Sequence, residues 1–142
     1  HYPIRSAEPF IALKGCLTLP VAGGLVHDFG QPRAGGLKWN GVVLTAPRGR
    51  EVRAVYHGRV VFADWLSGLG LLVIVDHGEG FMTLYGYNET LLKATGDWVA
   101  PGDVIATVGD SGGQSQASLY FEIRQGTTPV NPRRWITRNP RS

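Results

Sequence analysis

The sequence predicts an all-β fold: two packed antiparallel sheets with a groove on one face and only short helical turns. Three observations predict it. The 142 residues include 20 glycines and 9 prolines, and the apolar runs are short and bounded by Gly-containing turns. Residues 118–124 alternate with a period of two: Leu119, Phe121 and Ile123 point one way, and Ser118, Tyr120, Glu122 and Arg124 the other. Helical periodicity is confined to Phe10-Ile11-Ala12-Leu13-Lys14 and Asn88-Glu89-Thr90-Leu91-Leu92-Lys93, which read as short helical turns.

A chain of this length buries one core. Residues 1–14 read as a tether from an upstream region, residues 15–135 as the domain, and residues 136–142 as a basic C-terminal tail. No stretch approaches the ~20 apolar residues of a membrane span. The chain opens on His1 with no signal peptide, so it reads as a domain of a longer exported protein. Cys16 has no partner for an internal disulfide, which does not exclude an oxidising compartment. The formal charge is +3, and Arg133, Arg134, Arg138 and Arg141 read as a solvated basic cluster. No nucleic-acid motif accompanies them, so no nucleic-acid partner is expected.

In Trp39-Asn40-Gly41-Val42-Val43, Trp39 and Val43 are an even number apart and share a strand face. His57-Gly58 sits between two apolar runs and reads as a hairpin turn. His77-Gly78 follows the apolar run from Leu71 to Val75 and reads as a strand end. Gly102-Asp103 marks a tight turn before Val104-Ile105-Ala106. His1, His27, His57, His77 and Cys16 are the remaining soft donors, and none forms a pair at ligand spacing. No metal site and no cofactor are expected.

In this order and spacing, residues 15–135 resemble the LytM/lysostaphin-type zinc endopeptidases of the bacterial cell wall. Gly15-Cys16-Leu17-Thr18-Leu19-Pro20-Val21 and Phe29-Gly30 look like that family's entry strand and turn, and residues 60–77 like its central hairpin. Trp39-Asn40-Gly41-Val42-Val43 looks like its His-x-Gly-x-Asp segment, and Leu84-Tyr85-Gly86-Tyr87 like its Leu-Tyr-x-His. Ser118-Leu119-Tyr120-Phe121-Glu122-Ile123 looks like its His-Leu-His-Phe-Glu-Ile, and Asn131-Pro132 like its closing dipeptide. Every functional position departs from the pattern. Trp39, Val43 and Tyr120 stand at the zinc ligands, and Tyr87 and Ser118 at the catalytic histidines. Tryptophan, valine and neutral tyrosine are not zinc donors. The resemblance therefore implies a pseudoenzyme. Ala63-Asp64-Trp65-Leu66, Gly86-Tyr87-Asn88 and the run to Arg124 look like the EnvC-type amidase activators, a catalytically degenerate branch.

That branch implies a noncatalytic activator of periplasmic N-acetylmuramyl-L-alanine amidases, promoting septal peptidoglycan cleavage in cell division. The expected partner-binding groove comprises Trp39, Asn40, Val43, Leu69, Leu72, Tyr87, Ser118, Tyr120 and Arg124, with residues 66–72 as one wall. By the resemblance it receives the amidase's amphipathic regulatory helix. Its aromatic and arginine content is that of a protein interface. The further partners it suggests are a division-site membrane complex, reached through an upstream region, and peptidoglycan itself. The alternative readings are a residual zinc peptidoglycan endopeptidase and a passive peptidoglycan-binding module.

Overall fold

The computed structural model describes residues 8–137. The strands are β1 (Gly24–His27), β2 (Pro32–Arg33), β3 (Leu37–Lys38), β4 (Val42–Thr45), β5 (Glu51–Arg53) and β6 (Gly58–Leu66). They continue with β7 (Gly70–Gly78), β8 (Phe81–Leu91), β9 (Trp98–Val99), β10 (Val104–Val108), β11 (Ser118–Gln125) and β12 (Thr128–Val130). Ten of them hydrogen-bond into one antiparallel sheet, seven along the path β1-β4-β11-β8-β7-β6-β9 and three, β5, β10 and β12, off it, with β12 pairing β11. The expected layers are joined because β8, at 11 residues, is long enough to pair β11 and β7 early and β10 at its end. β10 also pairs β5, while β2 and β3 form a separate two-stranded hairpin.

One apolar core fills the space between these strands. Val52, Ile105, Ala106 and Val108 from β5 and β10 meet Val42, Leu44, Val73, Val75 and Tyr85. Leu119, Phe121 and Ile123 are fully buried there, so the strand register read from residues 118–124 is the observed one. Burying such side chains contributes about 1.5–3 kcal/mol each before conformational entropy is subtracted.

Four local expectations are corrected. Phe10–Leu13 is a 3-10 turn, but Asn88–Leu91 continues β8, because Asn88, Thr90 and Leu91 pair with Val108, Thr107 and Ala106. Backbone pairing overrides a weak helical pattern over so few residues. His57-Gly58 is not a hairpin turn, since β5 pairs β10 and the chain crosses through Ala54-Val55-Tyr56-His57 to enter β6. Residues 15–21 make one isolated parallel bridge, Leu17 to Ile136, instead of an entry strand. The described part of the expected tether packs onto the domain: Phe10 is buried and stacks on His77 and Trp135, at centroid distances of 4.5 and 5.0 Å. Residues 1–7 and 138–142, the rest of the tether and most of the basic tail, lie outside the described residues.

Candidate functional site

The outer face of β11 carries Tyr120, Glu122 and Arg124, opposite the core set. Tyr120 pairs across to Val43 on β4 and to Gly86 on β8. Gly86 keeps this crossing open: a Cβ there would lie 3.2 Å from the Leu69 carbonyl oxygen. Trp39, directly after β3, completes a second apolar cluster of Trp39, Val43, Tyr87 and Tyr120, with Leu69 packed against it. Ring centroids are 6.2 Å apart for Trp39 and Tyr120, and 5.7 Å for Tyr87 and Tyr120.

Tyr87 reaches this cluster by a bulge. Between the pairs Leu71–Asn88 and Val73–Tyr85, β8 has two residues where β7 has one. Strict alternation from the core residue Tyr85 sends Tyr87 back into the same core. The bulge turns it over, at φ 69°, with its N–H donating to the Leu69 carbonyl at 2.8 Å. A bulky residue at positive φ is strained and persists only where its surroundings enforce it.

Glu122 is buried on the same face. Its carboxylate accepts from the Tyr120 hydroxyl and from Arg124 Nε at 2.5 Å. Burial, then the Glu122 carboxylate, pushes the Tyr120 phenol far above its ordinary value, while burial raises Tyr87 against the opposing Arg33. Tyr120 is thus a neutral hydrogen-bond donor already committed to Glu122.

Of the nine expected groove residues, the structure gathers Trp39, Val43, Tyr87, Tyr120 and Leu69 into one cluster and leaves Arg124 at its edge. Leu72 is fully buried opposite the β8 bulge and belongs to neither apolar cluster. Asn40 is exposed, and Ser118 is buried where β11 pairs Thr45, apart from the cluster. The groove expected to be open is closed: Trp39 is 8%, Val43 4%, Tyr87 2% and Tyr120 3% exposed. Two residues outside the expected set close it. The His27 imidazole stacks on Trp39 at 4.5 Å and 14°, and the Arg33 guanidinium lies 3.6 Å from the Trp39 ring. Both come from Gly- and Pro-containing stretches without periodicity, so pattern reading had no signal for them. Glu122 did carry one, since it falls between Tyr120 and Arg124 on one strand face.

The residues present do not fit zinc. Trp39 and Val43 have no donor atom for it, and Tyr120 is neutral and engaged. Among the described residues no three His, Cys, Asp or Glu side chains converge. Open space lies elsewhere. A cleft of about 810 Å³ opens on the core side of the sheet, among Leu19, Leu25, Val42, Leu44, Phe121 and Arg134. It shares no lining residue with the expected groove, and its apolar floor belongs to the core, so it says nothing of the degenerate site.

The model of peptidase family M23 matches residues 37–132. The chain is 49% identical over 127 residues to the murein hydrolase activator EnvC of Escherichia coli K12, covering 89% of this chain and 30% of that protein. It is 35% identical over 118 residues to the murein hydrolase activator NlpD of Salmonella dublin, covering 82% and 30%. It therefore spans about a third of the length of these curated relatives. A putative peptidase M23 from Pseudomonas aeruginosa shares the fold with a TM-score of 0.77 at 25% identity, over 86% of this chain and 50% of that one. The catalytic domain of lysostaphin from Staphylococcus simulans does so at 0.70 and 23%, over 75% and 86%, a likeness of fold alone. A chain that keeps this sheet and this order of segments, while packing aromatic rings where a zinc site is expected, still belongs to peptidase family M23.

Proposed function

We propose that this domain is a noncatalytic activator of periplasmic N-acetylmuramyl-L-alanine amidases. The observation that carries the reading is the replacement of the metal site by a packed cluster of Trp39, Val43, Tyr87 and Tyr120 beside Arg124. The 49% identity to a murein hydrolase activator supports it. The cluster and the Leu66–Gly70 turn supply the anchors for an amphipathic regulatory helix, with Arg124 at the rim to hold a carboxylate or a carbonyl. Hydrolysis and any zinc then belong to the partner. Activation requires that the domain favour the unblocked amidase by differential affinity. On this reading the domain works in the periplasm and promotes septal peptidoglycan cleavage during division.

The test is amidase hydrolysis of dye-labelled peptidoglycan with and without the purified domain. Faster dye release with the domain present, and none from the domain alone, is expected. Chelator-sensitive release by the domain alone marks an endopeptidase instead. Saturable binding to purified peptidoglycan without amidase stimulation marks a wall-binding module.

A further inference from the structure

We propose that the β2–β3 hairpin is a latch over the groove, fastened by Arg33 on Trp39, and that a partner helix seats only after the latch opens. The inference rests on the groove reading above and adds its regulation. As folded, the four anchors are covered by the chain itself, so an arriving helix meets Arg33, His27 and Leu69 before it meets Trp39 or Tyr120.

The hairpin is built to move. It consists of two residue pairs, Pro32–Lys38 and Arg33–Leu37, and forms its own sheet, unpaired with the main one. None of its residues is buried. Its turn runs through Gly35 and Gly36 at φ 79° and 73°, conformations that glycine adopts at little cost. Its base is fixed, with the Gly30 N–H donating to the Trp39 carbonyl at 2.8 Å and the Trp39 N–H to the Gln31 carbonyl at 2.9 Å. Beyond that base, Arg33 ties it to the cluster, lying on the Trp39 ring and acting on Tyr87. Arg33 takes no part in the ion pairs among the described residues. Leu37, 63% exposed beside it, gives a partner an apolar grip on the open latch.

The test uses a single reporter thiol, Val43→Cys in a Cys16→Ser background, reacted with a soluble disulfide reagent. Val43 shares the buried cluster with Trp39, the ring that Arg33 covers, so its labelling rate reports opening of that cluster. Arg33→Ala is expected to raise that rate about tenfold, the scale of one cation–π contact, and Arg33→Lys to raise it less. A single cooperative melting transition lowered by only a few degrees without Arg33, as a tenfold shift of the closed state requires, shows that the fold is kept. The same proteins are titrated with a peptide copied from the active-site-blocking helix of an N-acetylmuramyl-L-alanine amidase, and Arg33→Ala is expected to bind it more tightly. An unchanged labelling rate overturns the latch. Weaker peptide binding with unchanged labelling also overturns it, and makes Arg33 a direct contact of the helix. Faster labelling while no form binds the peptide supports the latch and counts against the amidase reading.

Discussion

Acid should weaken this fold through one imidazole. His77 ends β7 with its ring under Phe10, and both ring nitrogens are engaged. Nδ1 lies 2.7 Å from the His57 carbonyl oxygen and therefore carries the proton. Nε2 lies 2.7 Å from Thr83 Oγ1, which is itself 2.8 Å from the Tyr85 hydroxyl. Tyr85 in turn accepts the Val55 N–H at 3.2 Å. Burial lowers the His77 pKa to about 4; the His57 carbonyl bond and nearby Asp76 work against the shift, and the His57 ring adds to it. The unfolded chain takes up a proton near pH 6.5 and the folded one only near 4, so stability is full above pH 6.5 and is lost as pH falls towards 4. At ~1.4 kcal/mol per pKa unit the loss is about 2 kcal/mol at pH 5 and about 3 kcal/mol at pH 4. Urea unfolding at pH 7.5, 5 and 4, in wild type and His77→Gln, measures it, since taking the difference between the two proteins cancels every other titrating group. The wild type should lose these amounts in addition to whatever His77→Gln loses over the same range. Parallel pH profiles for the two proteins would refute the assignment of the acid-sensitive step to His77.

Three other outcomes follow from the site. Tyr120→Phe removes the hydroxyl bonded to the buried Glu122 carboxylate, so urea unfolding should show about 1.5–3 kcal/mol lost, and a loss below ~0.5 kcal/mol would mean that bond is not formed. Gly41→Ala places a Cβ 2.4 Å from the Phe121 carbonyl oxygen and 2.7 Å from Glu122 Cγ, so β4 and β11 must separate at a cost of about 1–3 kcal/mol, read as a lowered melting temperature. Gently purified protein should carry no stoichiometric zinc by elemental analysis; about one zinc per chain would show that donors outside the described set, or a rearranged groove, hold metal.

The burial of Tyr120 and Val43 changes how groove variants must be read. From sequence alone they are surface anchors, and surface changes usually stay within ~0.5 kcal/mol. In the fold they are core-like, so Val43→Glu inserts an unpaired charge among Trp39, Tyr87 and Tyr120 and destabilises the domain itself. Arg124, a third exposed, is a better probe of binding, although removing it strips Glu122 of its cation. A loss of activation that merely tracks the melting temperature then says nothing about the partner.

What was legible follows from what alternation can encode. It separates Leu119, Phe121 and Ile123 from Tyr120 and Arg124, because period two assigns sides. It does not say what covers the second side, and here the cover comes from two non-periodic segments carrying His27 and Arg33. It also fails at Tyr87, where a bulge reverses the side, and at Phe10, a lone aromatic in a stretch that reads as a tether. The filled groove has a physical cause. A site that loses a metal and three polar ligands leaves a volume that is expensive to keep empty, at ~24 cal/mol per Å³ of cavity. Trp39, Val43, Tyr87 and Tyr120 fill it by packing on one another. If the proposed helix seats here, it must replace those contacts as well as add its own, and its observed affinity is then its intrinsic affinity reduced by the fraction of time the groove stands open.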